Sequence, residues 1–333
     1  MKVLISGAFW HGSLEESYAR AFESIGWTVV RFDWEQIARA HPLASVAFAD
    51  KILRSKIADR VGRWLIAAVE DSPPDLVLII KGKRINPEQL TKLRPILNGR
   101  PLINFNPDSP WEKQNSSTRL TDSIPVYDAH FTWNSHLVKR FVSSGAKAAH
   151  FLPFAYDPEL HYPIADTRVE KKFDAVFVGT YAPERDKLLS ALRGCKIGIW
   201  GNGWAKSTKV PREWIQSAAI YGEEATRVLS LAPCAINILR PQNEGSHNMR
   251  TIEIPATRNA MLATRSVEQS QMFAESTEIE CYANPKELLE KIQLLNDNPD
   301  HAQRIAAAGF ERVREETYAK RARTMLEILG LPV

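Results

Sequence analysis

The feature that most constrains this chain is a rhythm that breaks once, near its middle. Short apolar runs alternate with stretches of helical period, the alternation stops at "HFLPFAYDPELHYP", and then it starts again. In the first cycle "KVLISG", "WTVVRFD", "DLVLIIKG", "PLINFN" and "AHFTW" read as buried strands. Between the first two, "SLEESYARAFESIG" carries Ser13 as N-cap, Glu16 three residues on and Gly26 as a stop. An amphipathic helix is predicted over about residues 45–71. In the second cycle "KFDAVFVGT", "KIGIWG", "CAINIL", "AMLATR" and "IECYA" are strands, and from Pro285 the chain is helical, punctuated by Asn298-Pro299 and Gly309. Strands separated by helices imply parallel βαβ units. The fold class is therefore α/β, with two successive Rossmann-like halves. The expected divisions are an N-terminal domain over 1–152, a hinge over 153–168 containing Pro158 and Pro163, and a C-terminal domain over 169–315. A last helix over 316–333 is placed as packing back on the N-terminal domain.

Composition narrows the classes of function. A net charge of +4, from 43 basic and 39 acidic residues, is too small an excess to point to nucleic acid, though it suits an anionic small ligand. Cys195, Cys234 and Cys281 lie far apart without metal-ligand spacing and read as reduced thiols. No metal site is expected. No window approaches the roughly 18 apolar residues of a membrane span, and "MKVLISGAFWHG" lacks signal-peptide character, so a cytoplasmic location is expected. The stretch "KILRSKIADRVGRWLIAAV" sets Ile52, Ile57, Val61, Trp64, Leu65 and Ala68 on one side and Lys51, Arg54, Lys56, Arg60 and Arg63 over much of the rest. It reads either as a packed helix with a solvated face or as a peripheral contact to an anionic membrane surface.

In open α/β sheets ligands bind beyond the carboxyl ends of the strands. "FVGTYAPERDKLL" puts Gly179 and Thr180 in such a place, with Arg185 in the helix that follows. "EGSHNMRTIEIPA" follows another strand. There Arg250 can neutralise a diphosphate, and Ser246, His247, Asn248 and Thr251 offer polar groups beside it. Glu253 can accept bonds from two sugar hydroxyls, as a carboxylate grips a ribose. The plainer alternative is a surface Arg250–Glu253 pair worth a few tenths of a kcal/mol. In the first half, "SGAFWHGS" presents Gly7, Trp10 and His11, and "NPDSPW" presents Asp108. His11 and Asp108 are candidate bases or hydroxyl ligands; the alternatives are a loop histidine and a turn aspartate. Trp111, Trp133, Trp200, Trp204 and Trp214 stack on sugars or pack the core. Neither "GNGW" nor "SGAFWHG" has the G-x-G-x-x-G spacing of a dinucleotide site.

"HNMRTIEIPATRNAMLATRSVEQSQMF" resembles the C-terminal domain of CgeB-like, spore-maturation type glycosyltransferases, with Asn248, Arg250, Glu253, Pro255 and Ala256 in the family's pattern. "NFNPDSPW", "LPFAYDPELHYP" and the helical tail from "NPKELLEKIQLL" are similar to further segments of that family; the first hundred residues match only in strand–helix pattern. The resemblance implies a GT-B fold, two Rossmann-like domains facing across an interdomain cleft, and sugar transfer from a nucleotide-diphosphate donor. It implies no cofactor beyond that co-substrate. It also implies donor binding by the C-terminal domain and a glycan, lipid-linked or polymer acceptor on the N-terminal one, with His11, Asp108 and Arg250 the catalytic candidates. Thr257-Arg258 depart from the family's cysteine-glycine. Retaining relatives carry two glutamates eight positions apart, and Gly245 stands where the first would be if Glu253 is the second, with Glu244 one residue off. A binding protein without turnover and an NAD-dependent Rossmann enzyme are the alternatives.

Overall fold

The computed structural model describes every residue except 41–50, 114, 165–169 and 244, with the backbone alone for 51–54 and 242. It comprises two compact units, one of Met1–Pro153 with Tyr318–Val333, the other of Phe154–Thr317.

The first unit is built on a wholly parallel sheet of β1 (Lys2–Gly7), β2 (Thr28–Asp33), β3 (Leu76–Ile80), β4 (Leu102–Asn106), β5 (Ala129–Thr132) and β6 (Ala149–Phe151). The strand order is β2-β1-β3-β4-β5-β6. β3 and β4 are buried at every position, which is why they read as continuous apolar runs. One core gathers Ile57, Val61 and Leu65 of helix Lys51–Asp71 with Leu90, Leu93 and Leu97 of helix Pro87–Leu97, and with Leu4, Val77 and Ile79 of the sheet. Elsewhere in the unit, helix Leu14–Ser24 packs on helix Tyr318–Leu329. Tyr18 joins these elements to the sheet, its ring 5.0 Å from Tyr318 and 5.5 Å from Phe105.

The predicted helix over 45–71 is observed as Lys51–Asp71; residues 45–50 and the side chains of Lys51, Ile52 and Arg54 lie outside the described residues. Trp64 departs from its expected place on the apolar side. It is 53% exposed, with the Arg60 guanidinium 5.6 Å from its ring. Ile57, Val61, Leu65 and Val69 form the buried stripe of this helix among the described residues, and position 64 falls outside it.

The second unit has its own parallel sheet: β7 (Ala175–Val178), β8 (Ile197–Trp200), β9 (Ile215–Ser217), β10 (Cys234–Asn237), β11 (Ala260–Thr264) and β12 (Glu280–Tyr282). The order is β12-β11-β10-β7-β8-β9. One core holds Phe177, Ile199, Trp204, Trp214, Leu288 and Ile305; another holds Val176, Trp200, Val228, Ile252, Ile254 and Val313. Gly309 does not punctuate the tail. It lies inside helix Pro299–Val313, where a Cβ would sit 2.6 Å from the Glu278 carbonyl oxygen, so it is a close-packing residue. The proline-rich stretch is built into this unit rather than standing apart as a linker. Thr226 Oγ1 donates to the Leu160 carbonyl at 2.9 Å, and Tyr156 Oη donates to the Arg314 carbonyl at 2.8 Å.

Each sheet reverses direction of growth once. In the first unit the chain leaves β1 toward β2 and β3 toward β4, so the paths diverge between β1 and β3. In the second they diverge between β7 and β10. These switch points are where α/β sheets open a crevice at the strand carboxyl ends.

Candidate functional site

At the switch point of the second unit, three arginines come together. Arg185 reaches back from helix Pro183–Leu189 and ties the two strand ends, donating through Nη1 to the Thr180 carbonyl at 2.8 Å and through Nη2 to Ile238 at 3.2 Å. Its guanidinium lies 5.4 Å from the Phe177 ring. Its Nε is buried and has no hydrogen-bond partner among the described residues. Burial, followed by the charges of Arg240 and Arg250, pulls this guanidinium down to about 10. A protein gathers like charges in a poorly solvated place at a cost, and an anion is the partner that would offset it.

Arg250 is held from two sides. Its Nε donates to the carbonyl of Val178, the last residue of β7, at 3.3 Å, and its Nη1 bonds the Glu253 carboxylate. The pair is not the surface contact that the i,i+3 spacing allows: the Glu253 side chain is only 4% exposed. Glu253 also lies 3.8 Å from Nε2 of His161, whose own protonation burial disfavours. The carboxylate expected to grip sugar hydroxyls is thus engaged by Arg250 and faces His161.

The remaining residues of the quoted loop position these groups. Ser246 and His247 are fully buried. Ser246 Oγ donates to Glu268 at 2.5 Å. His247 Nε2 accepts the Phe154 N–H at 3.2 Å, which leaves Nδ1 to donate to Glu268 at 2.7 Å. Both ring nitrogens of His247 are thus committed to holding the loop. Asn248 caps the helix, its Oδ1 accepting from the Thr251 N–H at 3.2 Å while its Nδ2 donates to Asn237 at 2.8 Å. Thr251 is buried and accepts from Asn237 Nδ2 at 3.1 Å. This network fastens helix Arg250–Ala256 to the end of β10 and so fixes where Arg250 starts.

Around Gly179, the backbone N–H groups offered to a phosphate are partly spent. Gly179 N donates to Trp200 and Tyr181 N to Asn202, both at 2.8 Å. Helix Pro183–Leu189 opens on a proline, which has no N–H to give. The attraction for an anion there comes from guanidinium groups. Thr180 is exposed beside them. Trp204 donates its Nε1 to the Gly179 carbonyl at 2.8 Å, and with Trp133, Trp200 and Trp214 it is core.

In the first unit, Gly7 is covered: a Cβ there would fall 2.1 Å from Cγ of Glu15, whose carboxyl is pushed up chiefly by burial. Trp10 and His11 are exposed in a turn closed by Ser13, whose N–H donates to the Trp10 carbonyl at 2.9 Å. Asp108 lies 3.6 Å from Lys81 Nζ, in an ion pair at the ends of β3 and β4.

Arg240, His161 and Lys81 are the residues the sequence reading missed. Arg240 had a signal, a cation three residues past β10 at the partner strand of Gly179. His161 had none, because only folding brings the proline-rich stretch to Glu253.

With this geometry in place, comparison with known proteins is informative. Residues 185–327 match a family model described as glycosyl transferase-like. No curated protein matches the chain. Sucrose-phosphate synthase from Thermosynechococcus elongatus is similar in structure, with a TM-score of 0.73 at 13% identity over 99% of both chains. Anabaena Alr3699/HepE, solved in complex with UDP-glucose, gives 0.66 at 12% over 99% of both. AviGT4, a glycosyltransferase involved in avilamycin A biosynthesis, gives 0.61 at 13% over 98% of this chain and 96% of that one. These similarities identify the fold as that of GT-B glycosyltransferases, two parallel six-stranded sheets flanked by helices.

Proposed function

We propose that this protein transfers a sugar from a nucleotide-diphosphate donor to an acceptor hydroxyl, with the donor diphosphate bound by Arg185, Arg240 and Arg250 of the second unit. The carrying observation is the buried Nε of Arg185, which has no hydrogen-bond partner among the described residues, beside two further guanidinium groups. The family-model match over 185–327 and the UDP-glucose bound to Anabaena HepE support the same reading. Within this proposal the resemblance of Asn248, Arg250, Glu253, Pro255 and Ala256 to the CgeB-like pattern supports that subfamily.

In the reaction, the acceptor oxygen forms a bond to the anomeric carbon as the bond from that carbon to the β-phosphate oxygen breaks. The nucleotide diphosphate leaves with the electron pair, and the hydroxyl proton passes to a base, for which Asp108 and His11 are the candidates. Arg185 and Arg250, fixed by backbone carbonyls and Glu253, are oriented before charge develops on the leaving group, which is where electrostatic catalysis acts. The reading calls on no metal and no cofactor, with a hexose as the transferred sugar. Its setting is the cytoplasmic side, and its acceptor is a glycan, lipid-linked or polymer hydroxyl presented by the first unit.

The test is a thermal-shift and hydrolysis assay with nucleotide diphosphates and their sugars. UDP or another nucleotide diphosphate raises the melting temperature, and Arg240→Ala weakens that binding by about tenfold or more, as loss of a charge-assisted contact should. Arg250→Ala is a poorer probe, because it strands the buried Glu253 carboxylate and costs about 3–5 kcal/mol of stability. If no nucleotide stabilises the protein, the proposal fails. Stabilisation without slow release of nucleotide from the sugar donor identifies a binding protein instead.

A further inference from the structure

The proline-rich stretch carries a histidine to the Arg250–Glu253 pair. Residues Asp157 to His161 close as a single turn, the Asp157 carbonyl accepting the Leu160 N–H at 3.0 Å and the His161 N–H at 2.8 Å. Asp157 Oδ1 accepts the Glu159 N–H at 3.0 Å, and the Leu160 carbonyl is bound by Thr226 of helix Gly222–Leu229. All of these residues belong to the second unit. The turn is thus tied both internally and to a neighbouring helix, and it sets the His161 ring beside helix Arg250–Ala256.

The turn also decides which ring nitrogen can donate. A backbone N–H has only a proton to give, and the Asp157 N–H is aimed at His161 Nδ1 at 3.4 Å. Nδ1 is therefore the acceptor, and in the neutral ring the proton stands on Nε2. Burial holds the ring below the ordinary histidine range; Glu253 and Asp157 oppose this, and Arg250 adds to it. Nε2 faces Oε1 of Glu253 at 3.8 Å, beyond hydrogen-bond length, while Arg250 bonds the other oxygen, Oε2. The two side chains are 11% and 4% exposed, so water has little access to either.

A buried carboxylate depends on its partners, and Arg250 is also a residue that the donor diphosphate engages in the reading above. Once that guanidinium is shared with phosphate oxygens, its hold on Glu253 weakens. From the aimed Nε2–H and the Oε1 it faces, we infer that His161 is a positioning residue for the donor site, closing on Glu253 as a neutral hydrogen-bond donor when the diphosphate engages Arg250. The inference rests on the transferase reading and deepens it, since it makes the proline-rich stretch part of donor binding. Active-site contacts are often long before the ligand arrives and tighten in the complex. The gain is that Glu253 stays in place and keeps Arg250 aimed while its charge is spent on phosphate.

The experiment titrates UDP-glucose into the full chain by calorimetry and follows melting with and without it. His161→Leu keeps the bulk and removes the N–H; His161→Gln restores an N–H. Because the contact is open in the free protein, His161→Leu melts close to wild type when free, yet it binds UDP-glucose about tenfold or more weakly, and His161→Gln recovers most of that loss. A merely structural role predicts the reverse, a lower melting temperature with affinity intact. On wild type alone, NMR should show the proton on His161 Nε2 moving downfield as UDP-glucose is added, a readout that stands even where a variant does not fold. The inference is overturned if His161→Leu binds as wild type does, if His161→Gln is as weak as His161→Leu, or if the Nε2 proton does not move. Those outcomes leave the donor reading intact; if wild type binds no nucleotide sugar, that reading falls and takes the inference with it.

Discussion

A histidine shows how strictly single residues are governed here. His130 lies in β5 with its ring stacked 4.6 Å from Phe141, its Nε2 at 2.9 Å from the Ile124 carbonyl and its Nδ1 at 3.3 Å from Asn104. Burial pushes it down to about 4. In the unfolded chain it titrates near the ordinary value of about 6.5. Between those values the unfolded state binds the extra proton, so His130 contributes stability that is complete above about pH 6.5 and lost as pH falls through about 4. The contribution is on the order of 3 kcal/mol. Urea unfolding of wild type and His130→Gln from pH 7 to 4 should therefore show a difference that shrinks with acidity; a constant difference would mean the ring is not held neutral.

At the scale of elements, the Gly179 loop rests on backbone meeting backbone. Gly201, just past β8, has φ +151°, and a Cβ there would lie 2.1 Å from the Gly179 carbonyl oxygen. Gly201→Ala must move the very loop that Arg185 ties down. The expected result is a loss of about 1–3 kcal/mol and weaker nucleotide binding, read by thermal melting with and without UDP. Unchanged melting would show that the loop gives way freely. Most elements were legible in the sequence because buried parallel strands are apolar throughout and their helices carry caps such as Ser13, which accepts the Glu16 N–H at 3.1 Å. β6 and β9 were not. Each is three residues long, partly exposed and too short to show a period. The site was legible in part. Arg185 and Arg250 stood at strand ends, but the burial of Ser246, His247 and Glu253 comes from helix Val267–Met272 and the proline-rich stretch, and sequence spacing does not show what will cover a loop.

For the whole molecule, the division into units cuts across chain order. Tyr318–Leu329 belongs to the first unit, where it buries Tyr318, Ala322, Met325 and Leu326. A chain ending at Thr317 leaves Tyr18 without the tilted ring contact of Tyr318 and uncovers the helix Leu14–Ser24 face. Several large side chains are exposed at about 1.5–3 kcal/mol each, enough to unfold a unit of ordinary stability. Such a truncation should give a melting profile in which the second unit alone unfolds cooperatively, followed by hydrogen exchange in β1 and β4. Protection of those strands equal to wild type would refute it. Among the described residues no helix is long and apolar enough to cross a membrane.

That returning helix has a bearing on biosynthesis. A ribosome releases the first unit's sheet long before it makes the piece that closes it, and the whole of the second unit is translated in between. The nascent N-terminal half must wait with an aromatic face open to water, a natural client for a chaperone, while the later half can reach its native state at once.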